Sequence, residues 1–242
     1  MALKRILAID VGGTGLKAAI VAPDGRFLVD RVRIKTPANC SPARLVALLA
    51  KLVKPLGAFD HVTIGFPGVV KRGKVITAPH LGTKQWHGFA LESTMQRRLK
   101  KPVVLLNDAD VQGLAAIRGD GLELVCTLGT GFGTAWFRDG ELMPHMDLAH
   151  LTIRKKDDFD VYIGDHTRKA IGKARWNKRV KKLIGVLETV FNYDHLYLGG
   201  GNSSRIDFAL PRNVTIVDNN AGMSGGAFAW KGVRKGAKTR AK

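Results

Sequence analysis

Two glycine runs in this chain carry residue types that bind phosphate. The first, Asp10-Val11-Gly12-Gly13-Thr14-Gly15, lies in a turn between two apolar strand patterns and is followed by Lys17. Glycines let backbone N–H groups come close to an anion. Thr14 adds a hydroxyl donor, Lys17 a point charge, and Asp10 a carboxylate suited to a hydrated Mg2+. An ordinary hairpin turn is the competing explanation, but it needs fewer glycines and has no use for a buried Asp. The second run, Leu128-Gly129-Thr130-Gly131-Phe132-Gly133-Thr134, again sits between strand patterns and places a hydroxyl at the centre of a backbone nest. Its spacing is G-x-G-x-G and it leads into a strand, TAWF, so the dinucleotide fingerprint, which opens a helix, is rejected.

Three further constellations qualify. Asn107-Asp108 follows the apolar run VVLL and precedes the helix-like ADVQGLAAI. A carboxylate at a strand's carboxyl end is well placed for chemistry. Either residue could equally be the helix N-cap. His150 lies three residues after Asp147, a pairing that says little by itself. Gly199-Gly200-Gly201 follows the strand pattern HLYL, where a ligand could lie against bare backbone or the chain could turn tightly into a helix.

The elements that must position these groups are legible in outline. ILAIDVGGTGLKAAIVAPDGRFLVDRVRI reads as a β-meander turned by glycines. A helix is predicted over about Ser41–Lys54, opened by Ser-Pro, with Leu45, Leu48, Leu49 and Leu52 on one face. HVTIGF and PVVLL read as buried strands, LVCTLGTGFGTAWF as a second strand–glycine turn–strand unit, and NNAGMSGGAFAW as a small-residue helix. A basic helix is predicted around 168–191, with Arg168, Arg175, Arg179 and Lys182 on one face and Val180, Leu183, Ile184, Leu187, Val190 and Phe191 on the other. A solvated stripe is the alternative reading of those cations. The basic tail KGVRKGAKTRAK has no apolar periodicity and reads as a flexible end.

The chain has 242 residues, 45% of them hydrophobic, enough for one large domain or two modest lobes. No apolar run approaches membrane-spanning length, and the start MALKRIL leaves no room for a cleavable signal, so a cytoplasmic location is expected. Only Cys40 and Cys126 are present, which suggests neither a disulfide framework nor a cysteine zinc site. With 39 Lys and Arg against 20 Asp and Glu, the formal charge is +19 and points to a polyanionic partner; a general basic bias is the alternative.

Taken in order, the motifs resemble those of the ROK family of bacterial sugar kinases, within the actin-like ATPase superfamily. IDVGGTGLKAAIV resembles that family's first phosphate motif, IGFPGVV its glycine-rich sugar loop, LNDAD its catalytic motif, TLGTGFGTA its second phosphate motif and YLGGGN its adenosine-side glycine run. The resemblance implies an α/β protein with a two-lobed, ribonuclease H-like fold and a cleft between lobes. The expected division is 1–108 with 219–242 for the smaller lobe and 109–218 for the larger. It further implies that Asp108 is the general base toward a sugar hydroxyl, with Gly68, Asn107, Asp147 and His150 at the sugar. Asp10, Gly12, Gly13, Thr14, Lys17, Thr130 and Gly131 would surround the transferred phosphate and its Mg2+, with Asp10 toward the metal. Gly199, Gly200 and Gly201 would border the donor.

Departures from the pattern narrow the branch. No cysteines follow His150, so no zinc is expected; Asp147 stands where the family usually has Glu, and Pro79-His80 where it has Asn. Zinc-free members include polyphosphate glucokinases, which GFPGVV and LNDAD resemble most, and the Arg168–Lys182 stripe then suits polyphosphate as donor beside ATP. A homodimer fits the family. The rival expectation is a sugar-responsive regulator binding DNA through its basic surface. Family repressors carry an N-terminal helix-turn-helix, however, and here the first phosphate motif begins at residue 6, so specific nucleic-acid binding is not expected.

Overall fold

The computed structural model describes residues 4–79, 81–217 and 221–230. His80 and the basic tail from residue 231 lie outside the described residues. The chain divides into two compact units, Met1–Ala115 with Asn220–Lys242, and Ala116–Asn219.

The first unit opens with the meander β1 (Ile6–Val11), β2 (Gly15–Val21) and β3 (Val32–Lys35). There follow α1 (Pro42–Val53), β4 (His61–Phe66), the small hairpin β5 (Val70–Lys71) and β6 (Lys74–Val75), α2 (Thr83–Trp86), α3 (Leu91–Leu99), β7 (Val103–Asn107) and α4 (Asp108–Ala116). The sheet order is β3-β2-β1-β4-β7, with β4 parallel to β1 and β7 parallel to β4. Strand alternation sends Leu7, Ile9, Leu16 and Ile20 into the core under α1 and α3, while Ile6, Ala8, Ala19 and Val21 face the other way. Ser41 caps α1 through its side chain, Pro42 takes the first turn, and Leu45, Leu49, Leu52 and Val53 are buried; Leu48 packs at the edge of the core.

The second unit contains β8 (Leu122–Leu128), β9 (Phe132–Arg138), β10 (Glu141–Leu142), the pair β11 (Thr152–Arg154) and β12 (Asp157–Asp158), helices α5 (Phe159–Ile163), α6 (Asp165–Ile171) and α7 (Lys173–Phe191), then β13 (His195–Gly199) and β14 (Val214–Ile216). Its sheet repeats the plan of the first: β8 and β9 form an antiparallel pair across a glycine turn, and β13 and β14 add in parallel. The predicted basic helix is broken. Gly172, at φ 80°, separates α6 from α7, so Arg168 stands on a different helix from Arg175, Arg179 and Lys182. Val190, expected on the apolar face, is 59% exposed.

The last helix, α8 (Ala221–Phe228), belongs to the first unit and lies over the small face of β1 and β2, where Ala8 and Ala19 leave room. A β-carbon on Gly225 would collide with the carbonyl of Val111 in α4. Thr63 Oγ1 donates to the Gly226 carbonyl at 2.7 Å and accepts from Trp230 Nε1 at 3.0 Å, holding the helix on the sheet. Gly225 and Gly226 are therefore packing requirements, the first against the Val111 backbone and the second against Ala8 and Thr63.

Candidate active site

The two residues at the end of β7 divide the roles that the sequence left open between them. Asn107 is the helix cap: its Oδ1 accepts from the Ala109 N–H at 2.7 Å and from the Asp110 N–H at 3.4 Å. Its Nδ2 donates to the Gly68 carbonyl at 3.0 Å. Asn107 therefore ties the loop after β4 to the start of α4. Gly68 holds φ 150°, and a β-carbon there would meet the Thr77 carbonyl, so this loop is built around a residue that must be glycine. Thr77 Oγ1 in turn accepts from Val69 N at 2.9 Å.

Asp108 is thereby relieved of capping. Its carboxylate accepts from the Ala109 N–H at 2.9 Å. Its acidity is pushed to a pKa of about 7, first by the protein packed around it, then by the negative charge of Asp10, and to a lesser degree by Asp110; the Ala109 N–H pulls the other way. The side chain keeps an exposed face, so it remains reachable from solvent. A carboxyl that titrates near neutrality and can be reached is matched to accepting a proton from a hydroxyl.

Asp10 closes the β1 end of the same unit. Its Oδ2 pairs with Lys17 Nζ at 2.8 Å, across the β1–β2 register that sets the two residues opposite each other. In the intervening loop the carbonyls are turned inward: Gly15 O accepts from Gly12 N at 3.0 Å, Gly12 O from Thr36 Oγ1 at 2.6 Å, and Thr14 O from Thr36 N at 3.3 Å. Among the described residues the N–H groups of Gly13 and Thr14 have no backbone acceptor. Carbonyls occupied within the fold beside N–H groups left without a backbone acceptor are what an anion nest requires. Thr36, buried at the end of β3, makes this arrangement and was not singled out from the sequence.

The second glycine turn is held by a different set. Gly129 N donates to the Gly131 carbonyl at 3.0 Å, and Asp160 Oδ1 accepts from Phe132 N at 2.7 Å. A β-carbon on Gly131 would strike the Asp160 carboxylate. The Asp165 N–H reaches the Gly129 and Thr130 carbonyls at 3.1 and 3.3 Å, and Asn202 Nδ2 donates to the Gly129 carbonyl at 3.1 Å. Gly199 ends β13, and Gly200 turns the chain at φ 85° directly against Leu128, whose nitrogen would lie 2.6 Å from a β-carbon there. The run Gly199-Gly200-Gly201 is thus placed beside Thr130 and Gly131 through the Leu128 and Gly129 backbone.

Asp160, Asp165 and Asn202 were missed by sequence reasoning. They lie tens of residues from the turn they hold, and only the acidic pair around Gly164 could have drawn notice. Asp147 and His150 come together in the same unit, His150 Nε2 standing 3.9 Å from Asp147 and its Nδ1 3.4 Å from Asp158. The stripe is reduced. Arg168 is paired with Asp165 at 2.7 Å, and Arg179 donates to the Tyr162 carbonyl at 2.8 Å with its guanidinium 4.4 Å above the Tyr162 ring. Arg175, Lys178 and Lys182 are the exposed cations on that side of α7. Among the described residues no group of three His, Cys, Asp or Glu could hold a metal ion, and no helix is long and apolar enough to cross a membrane.

Comparison with known proteins extends this picture. The sequence profile of the ROK family matches residues 6–147. A polyphosphate glucokinase of Mycobacterium tuberculosis (strain CDC 1551 / Oshkosh) is 32% identical over 237 residues, covering 91% of this chain and 89% of that protein. The solved structure of an inorganic polyphosphate/ATP-glucomannokinase from Arthrobacter sp. strain KM superposes with a TM-score of 0.83 at 30% identity, covering 94% of this chain and 99% of the other. A ROK family glucokinase from Streptomyces griseus, solved with glucose and AMPPNP, shares the fold at TM-score 0.75 and 18% identity, with 92% and 98% covered. The fold is the two-lobed actin-like ATPase type.

Proposed function

This chain belongs to the ROK family and is a phosphotransferase, and from that premise we propose that it moves a terminal phosphoryl group to the 6-hydroxyl of glucose or a close hexose, with inorganic polyphosphate, ATP or both as donor. The observation that carries the reading is Asp108: freed from capping by Asn107, open to solvent, and titrating near neutrality beside Asp10. As the sugar oxygen bonds to the terminal phosphorus and the bond to the bridging oxygen breaks, the hydroxyl proton passes to the Asp108 carboxylate. The shortened donor leaves with the bridging oxygen. Lys17 and the Gly13 and Thr14 N–H groups stabilise charge on the phosphoryl oxygens, and Thr130 and Gly131 are assigned to the donor on the family resemblance of their turn.

The residues present suit a Mg2+ ion. Lys17 holds one oxygen of Asp10, the other takes no protein hydrogen bond among the described residues, and Mg2+ is commonly bound through one or two carboxylates with waters and substrate phosphates completing its shell. When bound, it would neutralise charge on the donor. Zinc forms no part of the proposal. For the sugar we assign Gly68 and Asn107 on the loop they build together, and Asp147 and His150 on the family resemblance of their segment. Polyphosphate would engage the exposed Arg175, Lys178 and Lys182. A cytoplasmic setting belongs to the same reading.

A coupled assay for sugar 6-phosphate, with ATP and polyphosphate each set against several hexoses, tests it. Turnover of glucose or mannose with at least one donor supports the proposal. Absence of turnover with every pair would overturn it.

A further inference from the structure

Arg33 on β3 lies on the rim of the first phosphate loop, and no motif marks it. The β2–β3 register places Lys17 opposite Arg33 and Gly15 opposite Lys35, while β1–β2 places Asp10 opposite Lys17. Asp10, Lys17 and Arg33 thus form one row across three strands, and side chains at directly opposed positions share a face. The Arg33 guanidinium is laid over the loop itself: a β-carbon on Gly15 would fall 2.7 Å from its Nε, 3.0 Å from Nη2 and 3.2 Å from Cζ. The glycine leaves the space that the guanidinium fills.

This placement is built into the fold. Thr36, three residues on, is buried and bonds both the Gly12 and Thr14 carbonyls, so the end of β3 is fastened to the loop. Lys17 has Asp10 as its partner, whereas among the described residues neither Arg33 nor Lys35 forms an ion pair, and both are exposed. An arginine held over a backbone anion nest, with no carboxylate to neutralise it, presents fork-like donors to phosphate oxygens. Lys35, opposite Gly15, continues the positive edge.

We propose that Arg33 is a donor-binding residue: its guanidinium takes oxygens of the phosphoanhydride chain held at the Gly12–Gly15 loop, and Lys35 extends the contact along a longer chain. The inference rests on the phosphotransferase reading above and would apply to any donor whose phosphates occupy that loop.

Steady-state kinetics of Arg33→Ala and Arg33→Lys, with ATP and with long-chain polyphosphate as separate donors and glucose as acceptor, test it. Loss of one charge-assisted contact should raise the KM for the donor by about 10-fold to 100-fold, with the glucose KM within about twofold of wild type. Arg33→Lys should recover part of the loss. The slope of log KM for polyphosphate against log salt should fall in Arg33→Ala, since one fewer phosphate contact releases fewer counterions. A donor KM within about twofold of wild type in a variant with unchanged Tm overturns the proposal, as does an equal rise in both substrates' KM. If wild type itself uses neither donor, the underlying functional reading fails instead. If it uses one donor only, Arg33 is judged on that donor.

Discussion

At the scale of single residues, the assignment of Asp108 turns on its neighbour. Two adjacent polar residues at a strand-to-helix junction offer one cap and one free side chain, and the hydrogen bonds of Asn107 decide which is which. Asp108→Asn is expected to lower kcat by about 10²–10⁴-fold with sugar affinity little changed, the usual contribution of a positioned base. A variant keeping more than about a third of wild-type turnover would remove Asp108 from that role. Because the base must be ionised, kcat should fall as pH drops below about 7, with the inflection lost in the Asn variant. Stability responds in the opposite sense. The carboxyl is raised from 3.8 to about 7 on folding, so the native state binds the proton more tightly and the group's contribution is lost as pH rises through that range. Calorimetry at pH 5 and pH 8 checks this: Asp108→Asn should gain in Tm relative to wild type at the higher pH. Asp108 could be picked out as a candidate in LNDAD, where strand end, acid and helix start are contiguous, but the pattern left it and Asn107 equally suited to the cap. Thr36, Asp160, Asp165 and Asn202 were not, because each holds a glycine turn through contacts that only the folded register creates.

At the scale of elements, glycine marks both what the sequence reveals and what it conceals. The two strand–glycine turn–strand units stand where periodicity placed them, since apolar strands on both sides of a glycine run leave few other pairings. The basic segment did not remain one helix. Gly172 adopts φ 80°, a conformation that ends a helix, while the 3.6-residue pattern continues through it and hides the break. The stripe therefore resolves into cations of two kinds. Arg179, bonded to the Tyr162 carbonyl and stacked on its ring, is a packing residue, and its replacement by Ala should cost about 1–2 kcal/mol in urea denaturation. Arg175 and Lys182 are exposed, and replacing both with Ala should weaken use of long polyphosphate more than use of ATP while leaving stability unchanged. Equal kinetic effects on the two donors would dissociate α7 from the polyanion. Gly200→Ala offers a further check on the second phosphate turn. Its positive φ and its approach to Leu128 predict a loss of about 2–3 kcal/mol, and a stability equal to wild type would show that the β8–β13 contact is looser than described.

At the scale of the whole molecule, a formal charge of +19 is far more than catalysis on one phosphoryl group requires. Compact nucleotides carry few charges, whereas polyphosphate carries about one per phosphate and gains affinity by releasing counterions from itself and from the basic surface. The KM for polyphosphate should accordingly rise steeply with added salt while that for glucose hardly moves. Metal content is a second property of the whole chain. Elemental analysis should find no stoichiometric zinc, and chelation should leave Tm unchanged, because a structural site normally needs four ligands and the only cysteines, Cys40 and Cys126, are buried in different units. The most direct test of the account is a nucleotide-free 31P NMR time course of the purified protein with glucose, Mg2+ and long-chain polyphosphate. The account predicts growth of a hexose 6-phosphate resonance, abolished by Asp108→Asn. Polyphosphate left unchanged by a protein that forms the same product from ATP would contradict the claim that its charge serves a polyanionic donor.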